Sequence, residues 1–382
     1  MRVLQISKFY PPVMGGIESV AWELTEGLNR AGVPTDVLCS NQKLWKTQDK
    51  AASGYRICRS GSLGTVLSTS IAPSMVFHLR RLATDCEIIH LHMPDPMAAM
   101  AVLLARPQGR LVVHWHSDVI RQRWALKLYE PLQEWILRRA DMVIATSHSY
   151  FEDSYPLQPW RHKVRVVPIG ITDRVEGADS AKVAAYRQLA GGRRIVLAIG
   201  RMTYYKGFDV LIDAAAYLPQ DCVVFIGGSG ELLNEYQELV IRRGLNSRIA
   251  LLGHVHQDNL LSLLEACSVF CMPSNVRAEA YGVAMLEAML MSKPIVASDI
   301  SGSGVPWVNV HGLTGLNVPV SNPAALAAGL TSILTDDELR DRFGNAARKR
   351  YLQEFNVDLM IQRVLNLYGS MMSTYQRKNF AQ

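Results

Sequence analysis

Short apolar runs alternate with amphipathic stretches along most of the chain. "RVLQISKF" leads through a Pro/Gly loop into "GGIESVAWELTEGLNRAG", where apolar positions recur at helical spacing and a glycine closes the run. "PTDVLCS", "CEIIHLHMP", "RLVVHWHS", "DMVIATS" and "KVRVVPIG" read as further strands, with helices predicted over 96–105 and 120–140. Strands this apolar, alternating with helices, imply a parallel sheet covered on both faces. From Ile171 to Gly192 the chain is more polar and the strand pattern lapses. A second series follows: "RRIVLAIGR", helix 207–217, "CVVFIGGSG", helix 231–243, "RIALLGHV", helix 257–267, "SVFCMPS", helix 282–292, "KPIVASD" and "TGLNVPV". After Asn322 the pattern is helical almost to the end.

At 382 residues the chain is long for one core. The expected class is α/β: two doubly wound, Rossmann-like domains facing across a cleft, where α/β sheets place ligands. The lapse sets an N-terminal domain at 1–175 and a C-terminal domain at 176–359, with a helix from about 360 to 382 packing back on the first.

Composition narrows the classes. With 49% apolar and 19% charged residues this is a globular chain. No apolar run approaches the roughly 20 residues that span a bilayer. "MRVLQISKFYPP" reads as a buried strand rather than a signal peptide, so a cytoplasmic protein is expected. The six cysteines are scattered, and only Cys267 and Cys271 are close; buried free thiols are the expected state. A net charge of +6 and a pI near 9.0 favour anionic partners: a phosphate-bearing ligand or an anionic membrane face. No helix-turn-helix, zinc-finger or RNP-type motif accompanies the charge, so nucleic acid is not an expected partner.

Several loops carry candidate chemistry. In "YPPVMGGIES", Gly15 and Gly16 stand between strand and helix, where backbone amides can meet a phosphate or form a plain turn. "IGRMTYYKG" sets Arg201 and Lys206 at a strand mouth, able to neutralise a diphosphate or to remain solvated surface charges. "FIGGSGE", with Gly228, is glycine-rich but matches neither a P-loop nor the full dinucleotide fingerprint. "EAYGVAMLEAM" holds Glu279 in a loop and Glu287 within a helix whose other positions are almost all apolar. A lone glutamate on a helix is usually its polar face, yet a carboxylate among apolar neighbours is costly to bury without a partner.

The E-x7-E pair Glu279/Glu287, preceded by "MPS" and followed by "KPIVASD", together with "PPVMGGIE", "GR…KG" and "GGSGE", resembles the retaining glycosyltransferases of the GT-B fold, family GT4. The match covers nearly the whole chain in order. "HWHSDVIRQ" and "SGSGVPWVNVHGLTG" resemble the bacterial branch that builds O-antigen, lipopolysaccharide or capsule units on a lipid carrier. The resemblance implies that Gly16 lends its amide to the diphosphate, that Arg201 and Lys206 neutralise it, that Glu279 orients the donor sugar and that Glu287 holds the ribose. It implies further donor positions at Gly228, Tyr281, Gly282 and Val283, and a sugar contact for His116, which makes His116 and Glu279 the catalytic candidates. Asn309 and the loop Ser303–Val305 would line the phosphate and sugar region. One departure is "VVPIGI", where Ile169 replaces the asparagine of the family's "PNG" turn and supplies no polar contact.

The implied reaction is hexosyl transfer with retention from a nucleotide sugar to an undecaprenyl-diphosphate-linked glycan in O-antigen biosynthesis. UDP-N-acetylgalactosamine or another UDP-N-acetylhexosamine is the expected donor, with GDP-mannose the competitor. Fixed cations and helix-end amides serve the departing diphosphate in such chemistry, and neither carboxylate is required as a nucleophile. No cofactor or metal is expected. Three His-x-His pairs, His90/His92, His114/His116 and His254/His256, could chelate through a shared strand face, but no acidic or cysteine partner stands at ligand spacing. The segment 120–140 mixes Arg121, Arg123, Lys127, Arg138 and Arg139 with Trp124, Leu128, Trp135 and Ile136. Basic residues beside tryptophans suit an anionic bilayer interface, as does "SMVFHLRRLA", so Arg121, Arg123, Trp124 and Lys127 are the acceptor-side or membrane-side candidates on the inner-membrane surface. The plain alternative is a core helix with solvated cations, interrupted by Pro131. Competing functions are a UDP-sugar epimerase or phosphorylase of the same architecture and a non-catalytic nucleotide-sugar sensor. A dehydrogenase lacks the acidic ribose reader of a complete fingerprint.

Overall fold

The structure is a computed structural model that describes residues 1–67, 69–119 and 123–379, the side chains of 123–126 and 374–379 excepted. The chain divides into two compact units: Met1–Thr172 with Val357–Gln382, and Asp173–Asn356.

The first unit is built on an eight-stranded sheet. Its order is Val164–Val166, Met142–Ala145, Arg110–Trp115, Ile88–Met93, Val3–Ser7, Thr35–Ser40, Arg56–Ser60, Thr47–Lys50. All neighbours are parallel except the last, which returns antiparallel on Arg56–Ser60. Strands such as Val3–Ser7 and Ile88–Met93 are buried at every position, as a sheet covered on both faces requires. The helix Val357–Asn379 belongs to this unit and packs on Gly16–Arg30. Gly27 permits the contact, because a Cβ there would stand 2.4 Å from Ile361.

The second unit holds six parallel strands in the order Ile249–Gly253, Cys222–Gly227, Arg194–Ile199, Val269–Met272, Ile295–Ser298, Gly315–Val318. Counted from the first strand of the unit this is 3-2-1-4-5-6, the doubly wound dinucleotide-fold order. Its core is aliphatic, centred on residues such as Leu211, Ile226, Val269 and Leu330. The helices Phe208–Ala215, Leu233–Arg242, Gln257–Ala266 and Val283–Leu290 lie within the predicted ranges and are a few residues shorter.

Several elements escaped the sequence pattern, among them the strand Arg56–Ser60 and the helix Ser180–Leu189. The edge strand Thr47–Lys50 is polar and largely exposed, and the hairpin Thr65–Val66/Thr69–Ser70 is too short to show a period. All six cysteines are buried free thiols, and burial pushes Cys39 and Cys267 up to about 12, which leaves them inert.

Candidate active site

In the second sheet Arg194–Ile199 and Val269–Met272 are neighbours whose onward connections leave in opposite directions. Loops diverging at such a switch point leave a crevice outside the strand ends. The two loops are stitched by backbone. Gly207 has a φ of +64°, and a Cβ on it would stand 2.0 Å from the Pro273 carbonyl oxygen. The Asn275 amide donates to the Tyr205 carbonyl at 2.9 Å. Only glycine allows this approach, and it sets Lys206 against the stretch Ser274–Glu279.

Lys206 Nζ lies 2.6 Å from Glu279 Oε2, and the Ser274 hydroxyl donates to the same oxygen at 2.9 Å. Lys206 is 9% and Glu279 7% exposed. Burial works against the Lys206 charge, but the facing Glu279 carboxylate and Tyr205 outweigh it and hold the ammonium above its ordinary range. The lysine stem passes over Gly200, where a Cβ would meet Cε at 3.0 Å. Gly228 presses on the same point: its φ is +151°, and a Cβ would fall 1.9 Å from the Gly200 carbonyl oxygen. Around the carboxylate a third loop closes in. The Ser303 hydroxyl donates to the Glu279 carbonyl, and the Gly304 amide donates to the Ala280 carbonyl at 2.8 Å.

The other candidates of the second unit lie on the same loops and the helix that follows them. Arg201 follows Gly200 and is exposed, so it can meet a ligand without leaving a partner buried. Tyr281 is buried, its ring 6.2 Å from Trp307 and 6.4 Å from Phe355. Gly282 takes a φ of +83° and caps the helix Val283–Leu290, which carries Glu287 half-buried one turn in. Such a chain of amides at a helix start suits an anion. In the first unit Gly16 opens the helix Gly16–Arg30, and a Cβ there would meet nothing within 4 Å, which leaves room above its amide. Ile169, in place of the family's asparagine, is core, at 3% exposure.

His116 stands just past the strand Arg110–Trp115, its amide donating to Met93 carbonyl at 3.0 Å. It belongs to a buried group of four imidazoles. His92 Nδ1 is 2.8 Å from His116 Nε2, and His92 Nε2 is 2.9 Å from Gln5 Oε1. His90 bonds Tyr368 Oη through Nδ1 at 2.5 Å and His114 Nδ1 through Nε2 at 3.2 Å. Burial drives all four well below the ordinary histidine range, His114 to about 3, so they are neutral at physiological pH. Among the described residues, His90, His92 and His114 are the group that could hold a metal, with ligand nitrogens within 4.8 Å of one another. An ion there would displace a hydrogen bond from His90 and from His92, whose nitrogens are all engaged, whereas His114 Nε2 is buried without a hydrogen-bond partner among the described residues.

Some expectations fail. Asn309 does not line a ligand site: it is fully buried, Nδ2 donates to Leu316 carbonyl and Asn317 Oδ1, and Oδ1 accepts from Thr314. Its polar atoms are consumed in tying the segment after Val305–Val308 to the last strand. His254 and His256 do not share a strand face, because the strand ends at Gly253; both are exposed. In the helix Arg123–Arg139, Arg139 is drawn to Asp141 at 3.1 Å, Arg138 pairs with Glu134 at 2.5 Å, and Ile136 is core. Its basic excess is therefore partly internal. Arg121 and the side chains of Arg123 and Trp124 lie outside the described residues, while Lys127 is exposed.

Three participants went unread in the sequence. Tyr368 had no local signal, since it acts on His90, 278 residues away, whereas Ser274, five residues before Glu279, stood in the quoted "MPS" with no role assigned to it. Gln5 did have one, as the polar residue at the centre of "VLQIS".

Comparison with known proteins finds glycosyltransferase family matches in both units. Residues 15–170 match the family described as "Glycosyl transferase 4-like domain", and residues 182–350 match "Glycosyl transferases group 1". The chain is 32% identical to the O-antigen chain mannosyltransferase C of Escherichia coli, over 98% of this chain and all of the other. It is 33% identical to the D-rhamnosyltransferase WbpZ of Pseudomonas aeruginosa, over 93% of this chain and 92% of the other. In fold it is similar to the sucrose-phosphate synthase of Thermosynechococcus elongatus, with a TM-score of 0.81, 22% identity and coverage of 98% and 99%. Matched in both units and nearly end to end, the chain belongs to the GT4 glycosyltransferases of the GT-B fold and resembles those that build O-antigen.

Proposed function

We propose that this glycosyltransferase moves a mannose-type hexose, from GDP-mannose first, to a hydroxyl of an undecaprenyl-diphosphate-linked O-antigen glycan with retention at the anomeric carbon. The relatives carry the donor class, being a mannosyltransferase and a D-rhamnosyltransferase. The expected UDP-N-acetylhexosamine finds no support among them. For mechanism the carrying observation is the buried Lys206–Glu279 pair at the switch point. In the reaction the bond from the anomeric carbon to the phosphate oxygen breaks, the acceptor oxygen bonds that carbon, and the acceptor proton passes to the departing phosphate. Lys206 and Arg201 meet the negative charge that develops on the diphosphate. Glu279 holds Lys206 charged and orients the sugar, Glu287 takes the ribose diol, and the amides near Gly16 and Tyr281–Val283 add donors. His116 contacts the transferred sugar. No metal is required by this chemistry.

The acceptor's lipid gives a reason for the protein to meet an anionic membrane. On the helix Met75–Leu82, Phe77 is 68% exposed beside exposed Arg80 and Arg81. This helix packs on Pro96–Ala105, which exposes Met100 and Leu104, and Arg80 reaches the Leu104 carbonyl at 2.8 Å. Lys127 and Leu128 are exposed on the next helix. Apolar and basic residues side by side suit an anionic interface. Among the described residues no helix is long and apolar enough to cross a membrane.

The test is nucleotide release from GDP- and UDP-sugars, with and without a diphospholipid-linked glycan and in EDTA. Acceptor-dependent GDP release from GDP-mannose, lost in Glu279→Ala, is the expected result. Release of UDP from an N-acetylhexosamine donor would overturn the donor assignment, and turnover without acceptor would overturn transfer.

A further inference from the structure

We infer that Gln5 and His92 are positioning residues that fix the tautomer of His116, with the proton on Nε2 and a bare lone pair on Nδ1. The inference rests on the proposed contact of His116 with the sugar for its consequence, but not for its chemistry.

Gln5 lies in Val3–Ser7 and His92 in Ile88–Met93, adjacent parallel strands at the switch point of the first sheet. An amide oxygen only accepts, so Gln5 Oε1 at 2.9 Å places the proton of His92 on Nε2. His92 is 1% exposed and neutral, and a neutral imidazole carries one N–H. Its Nδ1 is therefore a lone pair. Two lone pairs do not approach to 2.8 Å, so His116 Nε2 donates across that gap. His116, also neutral, is left with Nδ1 as an acceptor. The two rings are 12° from parallel with centroids 5.1 Å apart, an arrangement compatible with a hydrogen bond lying close to both ring planes.

The surroundings hold the arrangement. His114 lies against His116 with centroids 4.3 Å apart and planes 13° apart, and is itself tied through His90 to Tyr368. Of the four rings His116 is the most exposed, at 6% against 0–1% for the others. Its Nδ1 is thus what the ladder offers to a ligand. It accepts a proton and has none to give, so its partner is a hydroxyl of the transferred sugar, and a sugar with no hydrogen-bond donor there is disfavoured. A metal on His90, His92 and His114 would claim a nitrogen that this proton order requires.

The direct test is the long-range 1H–15N spectrum of the full chain labelled with 15N-histidine, with His116→Asn identifying the His116 signals. A protonated Nε2 and bare Nδ1 are expected in the wild type, a result that needs no variant to fold. Gln5→Met removes the acceptor while keeping the shape, and should mix Nδ1–H into His116 and raise donor KM about tenfold, the worth of one hydrogen bond, with less effect on kcat. His116→Asn, whose amide oxygen can stand where Nδ1 was, should keep more donor affinity than His116→Gln. Nδ1–H on wild-type His116, an unchanged tautomer in folded Gln5→Met, or one zinc bound per chain by the histidines would overturn the inference. The expected tautomer with donor KM unmoved in both His116 variants would instead overturn the sugar contact of the proposed function.

Discussion

Lys206 Nζ lies 2.6 Å from Glu279 Oε2, and the two are held there by loops 66 residues apart that touch through Gly207 and Pro273. Each residue is at most 9% exposed. An ion pair this sheltered adds little net stability when whole, yet removing one partner strands the other. Lys206→Met should cost about 3–5 kcal/mol, whereas the double change with Glu279→Leu should recover most of it while abolishing transfer. Urea unfolding of the two variants beside the wild type gives the comparison.

The same pair sets an alkaline limit. The folded pKa of Lys206 lies above its unfolded value, so the folded state binds the proton more tightly. Its contribution is complete below about pH 10.5 and is lost as pH rises through the higher folded value. The melting temperature of the wild type should therefore fall more steeply above that pH than that of the double variant.

The four neutral imidazoles set the acid limit. Their folded pKa values lie below the unfolded one, so the unfolded chain takes up protons that the folded protein refuses. Stability is complete above about pH 6.5 and falls by about 1.4 kcal/mol per pH unit for each such histidine below it. His114→Asn should flatten the decline by about one histidine's share, as read from denaturant midpoints between pH 7.5 and 5.

Gly207 should tolerate no side chain. Gly207→Ala forces a left-handed conformation worth about 1–2 kcal/mol and drives a methyl into the Pro273 carbonyl. Lost transfer activity with a lower melting temperature is expected, and Gly244→Ala, also at positive φ but with open space around it, should lower stability alone.

Arg201 supplies the contrast, being exposed. Arg201→Ala should leave stability within about 0.5 kcal/mol of wild type and weaken donor binding, which calorimetric titration with the nucleotide sugar would record.

If the face of Phe77 and Arg81 meets an anionic membrane as proposed, Phe77→Ser with Arg81→Glu should reduce co-sedimentation with phosphatidylglycerol vesicles. Transfer to a short, water-soluble acceptor analogue should be unchanged.

Most strands and helices were legible because both sheets are buried on two faces and many helices present one apolar side, while Pro96–Ala105 and Val283–Leu290 are apolar almost all round and show by length and composition. The polar edge strand Thr47–Lys50 carried no such signal. The loops holding Arg201, Lys206, Gly228 and Glu279 were legible as loops, since glycines and charges interrupt apolar runs there. What each residue faces was not. Glu279 and Lys206 read as separate ligands, and the structure pairs them. Asn309 read as a ligand contact, and the structure spends it on Thr314, Leu316 and Asn317.

Local pattern thus determined the α/β class, the order of elements and the identity of most charged residues near the second switch point. Tertiary structure alone decided that Gln5 orders the proton on His92, that His90 answers to Tyr368 278 residues away, and that Lys206 is buried rather than solvated. The reason is physical. Periodicity records which face of an element avoids water, a property of neighbours in the chain. Hydrogen bonds and ion pairs depend on which elements the sheet order brings side by side, and that order is settled only when the whole core closes.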